Sequence, residues 1–218
     1  MTIYNLTENL CMSIGMKMPK LYIIDSSALN AFASGINEKT YAITLTRGLI
    51  DTLDEKELEG VIAHELTHIR NKDVRLLIVS IIFVGIFGFL VEILFRSVLW
   101  GSAGRRRDDK TDPRLMIVAL LIAVVVYFLS ILFKFALSRK REYLADAGAV
   151  EMTRDPMAMA SALRKISRNY EVETKTDDVK SMFIQHGKSK KKNLFSSFSG
   201  LFATHPPIEQ RIKILEQL

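Results

Sequence analysis

Hydrophobic residues are distributed unevenly along the chain, and two long apolar runs stand out. Leu76 to Val91 contains no charged residue, and three more apolar residues follow Glu92 before Arg96. Leu115 to Phe133 is also free of charge. Each run approaches the roughly 20 residues that cross a hydrocarbon core about 30 Å thick, so we predict two transmembrane helices. A buried helical hairpin in a soluble protein is the alternative. Glu92 and Arg96 are predicted to pair at the bilayer edge.

The two predicted spans divide the chain into a membrane hairpin and a second domain. The hairpin takes residues 76–133, with a connecting loop at 96–114, and the other domain joins residues 1–75 to 134–218. Two crossings return the chain to the side that it left, so residues before and after the hairpin can meet. Seven basic residues flank the hairpin on the side of the second domain and six lie in the connecting loop, so the positive-inside rule assigns no orientation.

A helical pattern precedes the first span. Residues 53–71 contain no proline, and apolar residues recur at helical spacing, namely Leu58, Val61, Ile62, Leu66 and Ile69. Asp54 with Glu57 resembles a capping box, and Thr52 with Glu55 is an equally good alternative start. The pattern predicts an amphipathic helix whose apolar side is buried.

Two histidines and a glutamate on this helix carry the candidate chemistry. His64 and His68 lie four residues apart, which places both rings on one face about 6 Å apart along the axis. This is the spacing with which zinc hydrolases hold a metal ion. Glu65 lies beside the first ligand, where it can take a proton from a water that zinc has acidified. Two structural histidines matching the motif by chance are the alternative.

A catalytic zinc ion usually has three protein ligands and one water, so a third ligand is required. Glu142 is the best candidate, and Asp146 lies one turn later on the same face. Asp146 would accept the free ring N–H of a ligating histidine. The alternative is a solvated ion pair with Arg139 or Arg141. Small residues would let this helix approach the histidine helix closely: Ala145, Ala147, Gly148 and Ala149.

The N-terminal third is predicted to contain a small β-sheet. Residues 20–24 and 41–45 have the composition of short strands. Between them, residues 30–35 are either an exposed strand edge that pairs with an extended peptide or a turn with Phe32 in the core. The residue pattern alone favours the turn.

The C-terminal region contains a histidine in a defined setting. His205 precedes two prolines that open a final helix, whose apolar stripe includes Ile208, Ile212 and Leu215. His205 either points into the cleft, where it would donate a hydrogen bond to an oxyanion, or marks only the start of the helix.

The remaining segments contain fewer residues with a predicted function. Asp155 followed by Pro156 predicts the start of a helix with one apolar side: Met159, Leu163, Ile166 and Tyr170. Residues 171–200, with His186 at the surface, are predicted to form a loop. The net charge of +6 favours contact with a membrane surface over nucleic acid, because no basic-aromatic recognition pattern accompanies it.

Four motifs, taken in order, resemble the HtpX-like membrane zinc metalloproteases, which are related to the CAAX prenyl proteases. The matching motifs are residues 30–35, residues 64–68, Glu142 with Asp146, and residues 205–207. Together with the two apolar segments, they extend the resemblance over nearly the whole chain. Proteins of this family usually begin with two further spans, and this chain starts after the point where those spans end.

The resemblance implies a fold class and a mechanism. The expected fold is mainly α with a small β-sheet, a zincin-like metallopeptidase domain interrupted by the two-helix hairpin. One zinc ion per chain would be held by His64, His68 and Glu142, with Glu65 as general base. His205 would support the transition state. Substrate would be bound by Asn30 and by the residues that follow it, namely Ala31, Phe32 and Ala33, so the resemblance favours the strand edge over the turn.

The resemblance also implies a class of substrates and a cellular location. The expected substrates are unfolded, damaged or membrane polypeptides, in protein quality control under stress. The expected location is a prokaryotic inner membrane, with the site facing the cytoplasm. Two other functions stay open: a zinc hydrolase of prenylated tails or chain termini, and a non-catalytic membrane protein clamped by zinc. A purely structural zinc site has no need of Glu65 and tends to have four protein ligands.

Overall fold

The computed structural model describes residues 3–100, 113–168 and 206–218. The helices in this part of the chain are α1 (Ile3–Ser13), α2 (Arg47–Thr52), α3 (Glu55–Arg70), α4 (Asp73–Trp100), α5 (Pro113–Thr153), α6 (Pro156–Arg168) and α7 (Ile208–Leu215). The strands are β1 (Lys20–Ile24), β2 (Ala31–Ser34) and β3 (Ala42–Thr46). The predicted fold class, mainly helical with a small sheet, is confirmed. The chain forms two compact units, one of residues 1–75 and 138–218 and one of residues 76–137.

The sheet has the order β1-β3-β2, with β1 parallel and β2 antiparallel to β3. Both predicted strands are confirmed to within one residue. The turn that the pattern favoured after Asn30 is wrong, because this segment forms β2. The backbone N–H of Asn30 donates to Thr46 Oγ1 at 3.0 Å, and the N–H of Thr46 donates to the carbonyl of Asn30 at 3.0 Å. These bonds lock the start of β2 onto β3. Gly35, with φ of +92°, then allows the chain to reverse.

The helix α3 follows its sequence signals closely. Asp54 Oδ1 accepts the N–H of Glu57 at 3.0 Å, and Glu57 Oε2 accepts the N–H of Asp54 at 2.9 Å, so the first capping box is the correct one. Thr52, the alternative start, is the last residue of α2. The apolar positions predicted to face inward are all buried, and α3 packs against α1, β2 and α6. This helix is therefore the central support of its unit.

The two apolar runs form the hairpin unit. Each belongs to a helix long and apolar enough to cross a membrane, and the most apolar window of each is 0% and 6% buried, respectively. A core helix of a soluble protein would be mostly buried, so this surface favours the transmembrane prediction over the soluble alternative. The ion pair between Glu92 and Arg96 is confirmed, with Nη2 and Oε1 2.7 Å apart. Helix α5 continues without a break from the second apolar run to Thr153, a continuity that the sequence did not predict.

The last two helices complete the first unit. Asp155 Oδ1 accepts the N–H of Ala158 at 2.9 Å, which confirms the predicted start of α6. The inward face of α6 packs against α3 and α7, and Ile208 and Leu215 of α7 are buried as predicted. The predictions for Tyr170, for the loop at 171–200 with His186, and for His205 fall outside the described residues.

Candidate metal centre

Helices α3 and α5 bring three candidate ligands to one point. His64 Nε2 and His68 Nε2 are 3.2 Å apart. Glu142 Oε2 lies 3.7 Å from His64 Nε2, and Glu142 Oε1 lies 3.6 Å from His68 Nε2. His64 and Glu142 are almost completely buried, and His68 retains 16% of its side-chain exposure. The three side chains thus present one cluster of ligand atoms with partial access to solvent.

The dimensions of this cluster fit a zinc ion. All three ligand atoms lie within 4.8 Å of one another. A tetrahedral ion with bonds of about 2.1 Å requires its ligand atoms to be about 3.4 Å apart, close to the separations seen here. Two imidazole nitrogens and one carboxylate form a donor set that zinc hydrolases use, and a fourth position would remain for water.

Each histidine turns its other ring nitrogen toward a carboxylate. His64 Nδ1 lies 3.0 Å from Asp146 Oδ1, and His68 Nδ1 lies 2.6 Å from Asp73 Oδ2. A proton on Nδ1, drawn by these carboxylates, leaves the lone pair of Nε2 for a metal ion. Asp146 therefore lies within 3.0 Å of a histidine ring nitrogen, as the prediction requires, but the contact does not have the angles of a hydrogen bond. Asp73 was not anticipated.

A buried arginine from α7 closes the site. Arg211, only 1% exposed, donates from Nε and Nη2 to the two oxygens of Asp146 at 2.7 and 2.5 Å. Its Nη1 donates to Glu142 Oε2 at 3.0 Å. The predicted ion-pair alternative named Arg139 and Arg141, but the bidentate partner of Asp146 is Arg211. One guanidinium therefore holds the carboxylates of Glu142 and Asp146 in fixed orientations.

The electrostatics of the cluster favour a positive charge. Burial by itself would lower the pKa of His64, but the neighbouring carboxylates of Asp146 and Glu142 outweigh it and raise this pKa to about 9. Burial likewise disfavours the charge of Arg211, yet the same two carboxylates raise the pKa of its guanidinium above the ordinary value. A site that stabilises a proton on a buried histidine in this way is also suited to a divalent cation.

The close approach of α5 to α3 depends on a small residue. A Cβ added at Gly148 would lie 2.5 Å from Thr67 Cγ2 and 2.6 Å from its Oγ1. Ala145 and Ala149 are completely buried, whereas Ala147 is exposed and does not serve the packing that was predicted for it. Packing by small residues is thus confirmed for three of the four positions.

The other predicted site residues have different surroundings. Glu65 is 3% exposed on α3, and its charge contributes to the raised pKa of Arg211. Asn30 is buried and Ala31 is 1% exposed, while Phe32 and Ala33 are half-buried on β2. This strand packs against α3, the helix that bears the histidines. Within the described residues, no strand pairs with the outer edge of β2.

Sequence reasoning missed Arg211 and Asp73, although each had a signal. Arg211 occupies a position between Ile208 and Leu215 that falls on the apolar stripe of α7, and a charge on a buried face requires a counter-charge. Asp73 lies five residues after His68 and three residues before the start of the apolar run. Neither signal identified the partner, because the contacts depend on how separate segments pack.

Comparisons with known proteins find relatives along nearly the whole chain. A model of peptidase family M48 matches residues 2–218. A protease HtpX homolog of Bacteroides fragilis (strain YCH46) is 61% identical over 218 residues, covering 99% of this chain and 68% of the relative. A protease HtpX homolog of Dictyoglomus thermophilum is 44% identical over 215 residues, covering 98% of this chain and 68% of the relative.

The fold also has a solved counterpart. The crystal structure of S. mikatae Ste24p matches with a TM-score of 0.63 at 20% identity and covers 99% of this chain. The chain spans half the length of that protein. At this level of identity the likeness concerns the fold, which the two proteins share.

Proposed function

The chain belongs to peptidase family M48, and on this premise we propose that it cleaves internal peptide bonds with one zinc ion held by His64, His68 and Glu142. The resemblance drawn from its motifs is confirmed, and the chain is a membrane-associated metalloprotease. The observation that carries the proposal is the convergence of three ligand atoms within 4.8 Å. Zinc, when bound there, polarises the scissile carbonyl and lowers the pKa of water.

Glu65 has the role of general base in this proposal. It follows a ligand on the same helix, and its carboxylate accepts a proton from the attacking water. The protonated side chain then donates that proton to the leaving amine. A single carboxylate therefore serves as base and acid in turn, and its burial keeps competing water away.

Asp146 and Arg211 keep the ligands in place. Asp146 faces His64 Nδ1 and so favours the tautomer with a free Nε2. Arg211 balances the charge of Asp146 and Glu142, which would otherwise repel each other within the buried site. We propose that these two residues position the metal ligands without contacting the substrate.

The outer edge of β2 is the proposed substrate platform. An extended peptide that pairs with Ala31, Phe32 and Ala33 would be recognised through its backbone, with Asn30 at the start of the strand. Backbone recognition selects for extended segments over particular side chains. Unfolded, damaged or membrane proteins are therefore the proposed substrates, in quality control under stress. His205 stays a predicted hydrogen-bond donor to the oxyanion.

The hairpin also supports a proposal for the location of the protein. The two helices are long enough to cross a membrane, and we propose that they form a hairpin, which would leave α3 and the ligand-bearing end of α5 on the same side of the bilayer. We propose that this side is the cytoplasmic face of a prokaryotic inner membrane. The HtpX homologs named above come from bacteria, which supports a prokaryotic setting.

The decisive experiment compares the wild-type chain with Glu65→Gln. Both proteins are purified in detergent and loaded with zinc, and the metal content and the cleavage of a reduced, alkylated and unfolded protein are measured. We expect equal zinc content and a loss of turnover of roughly 10²–10⁴-fold, because the proton acceptor is removed while the ligands remain. Glu59→Gln is the matched control, since it changes a carboxylate on the same helix outside the site.

The outcomes separate the proposal from its rivals. Cleavage by Glu65→Gln at the wild-type rate would show that another group is the base. Bound zinc without cleavage of any protein or peptide would favour the zinc-clamped membrane protein. Cleavage restricted to prenylated tails or chain termini would favour the other hydrolase.

A further inference from the structure

Asp73 occupies the junction between the histidine helix and the first membrane-length helix. Helix α3 ends at Arg70, and Asp73 is the first residue of α4. The connection is short because the N–H of Asn71 bonds to the carbonyl of Thr67 at 2.9 Å and Lys72 takes a left-handed conformation with φ of +57°. This turn returns the side chain of Asp73 to the last turn of α3, where it is buried with 9% of its surface exposed.

The carboxylate of Asp73 meets the more accessible of the two histidines. Its Oδ2 lies 2.6 Å from His68 Nδ1, a distance typical of a charge-assisted hydrogen bond. The opposite nitrogen of the same ring faces Glu142 Oε1 at 3.6 Å. The ring of His68 is therefore fixed between a carboxylate at its back and the ligand cluster at its front.

A second contact ties this junction to the other ligand-bearing helix. Arg141 Nη1 donates to the backbone carbonyl of Asp73 at 2.6 Å. Arg141 immediately precedes Glu142 on α5, so the residue that supports His68 is held by the neighbour of the third ligand. Asp73 is therefore linked through its side chain to His68 and through its carbonyl to the turn of α5 that carries Glu142.

We propose that Asp73 is a positioning residue for the metal ligand His68, and that Arg141 fixes Asp73 so that the metal site depends on the first turn of α4. This inference rests on the proposed function, because it requires His68 to bind the metal. Asp146 has the corresponding place behind His64 but lies in α5. The two histidines are thus oriented from two different membrane-length helices.

The test measures metal binding by the full chain in detergent, independently of turnover. The dissociation constant for zinc is obtained by competition with a chromogenic chelator, and the visible absorption of the cobalt-loaded protein reports ligand geometry. For Asp73→Ala we expect zinc affinity to fall roughly 10- to 100-fold and the cobalt spectrum to change. Asp73→Asn keeps an oxygen acceptor for the ring N–H, so it should recover part of the loss.

Two further variants complete the design. Arg141→Met should weaken zinc binding less than Asp73→Ala, since it removes the support of Asp73 and leaves its carboxylate. Glu151→Gln is the matched control, because it removes an exposed carboxylate that pairs with Arg70 and contacts neither histidine. Its zinc affinity and cobalt spectrum should equal those of the wild type.

The failure of this inference differs from the failure of the proposed function. Wild-type zinc affinity and cobalt spectrum in Asp73→Ala would overturn the role of Asp73, whether or not the protein cleaves peptides. If Asp73→Ala does not fold, unchanged metal binding in both Asp73→Asn and Arg141→Met would overturn it instead. A wild-type chain that binds no zinc would overturn the metal site and this inference together. Bound zinc without proteolysis would overturn only the proposed endopeptidase activity.

Discussion

The first and second halves of α5 belong to one continuous helix, yet the exposure of their side chains differs. In the first half, Leu121, Leu129 and Phe133 leave more than half of their surface exposed. In the second half, the exposed surface shrinks to 5% at Glu142 and 4% at Asp146, which are both charged. Large apolar side chains thus face outward in the first half, whereas two carboxylates, those of Glu142 and Asp146, face inward in the second half.

The difference follows from what surrounds each half. Lipid solvates an apolar side chain as well as a protein core does, so outward-facing apolar residues in the first half need no protein partner. A buried carboxylate in the second half must find counter-charges and hydrogen bonds. Arg211 and His64 supply them to Asp146. Single positions should therefore matter little in the first half and a great deal in the second.

The largest effect is expected from removing the ligand in the second half. Removal of a residue that only orients a metal ligand lowers metal affinity roughly 10- to 100-fold. Glu142→Ala should lose more zinc affinity than this, because it deletes one of the three ligands. Dialysis against a zinc buffer followed by elemental analysis measures this loss. Glu151→Ala, on the same half of α5 but exposed, should retain zinc.

A second substitution at Glu142 tests whether a loss of zinc affinity is caused by a folding defect. Glu142→Gln keeps the volume and an oxygen atom that can bond with Arg211, so it should fold while still losing most of its zinc affinity. Wild-type zinc content in both Glu142 variants would mean that the carboxylate is not a ligand, and the contrast between the two halves would lose its functional meaning.

Sequence reasoning succeeded where the signals are local. The capping box of Asp54 and Glu57 spans three residues, and the spacing of His64 and His68 spans one helical turn. Such patterns are set by helix geometry itself. The two apolar runs that predicted helices of membrane length are equally local, since they depend on composition alone, whereas the continuation of α5 to Thr153 was not predicted.

Sequence reasoning failed where a contact joins residues that are far apart in the chain. Asp146 was given nearby arginines as possible partners, but its partner Arg211 lies 65 residues away. Arg141 instead bonds to the carbonyl of Asp73, which is 68 residues distant. The residue pattern did not predict the strand after Asn30 for the same reason, because the backbone of that strand pairs with β3. Packing decides these contacts, and no local spacing encodes them.

The next largest effect concerns stability. Arg211→Met removes the cation between two buried carboxylates, and breaking a buried pair in this way costs about 3–5 kcal/mol. Chemical denaturation of the metal-free protein measures the change in free energy of unfolding. The matched control is Arg164→Met, whose ion pair with Glu216 is exposed and should contribute no more than about 1 kcal/mol.

Equal losses in these two arginine variants would contradict the contrast between buried and solvated charge. A loss confined to Arg211→Met would support it. If Arg211→Met also lost zinc affinity while Arg164→Met did not, the ion pairs of Arg211 would both stabilise the fold and hold the metal ligands in place.

The smallest effect comes from adding a single methyl group. Gly148→Ala places a Cβ about where Thr67 already lies, and Thr67 is fully buried with its hydroxyl bonded to the carbonyl of Ala63 at 2.9 Å. Such overpacking costs about 1–3 kcal/mol. The measurement is again the free energy of unfolding, and Gly85→Ala in the hairpin is the control.

A Cβ at Gly85 would meet no atom within 4 Å among the residues that the structure describes. Alanine there should be neutral or slightly stabilising, since glycine is the poorer helix former. A loss at Gly85 as large as that at Gly148 would mean that the hairpin surface is packed against protein and is not solvated by lipid. The exposed apolar surface of the hairpin could then no longer be contrasted, as a surface solvated by lipid, with the packed second half of α5.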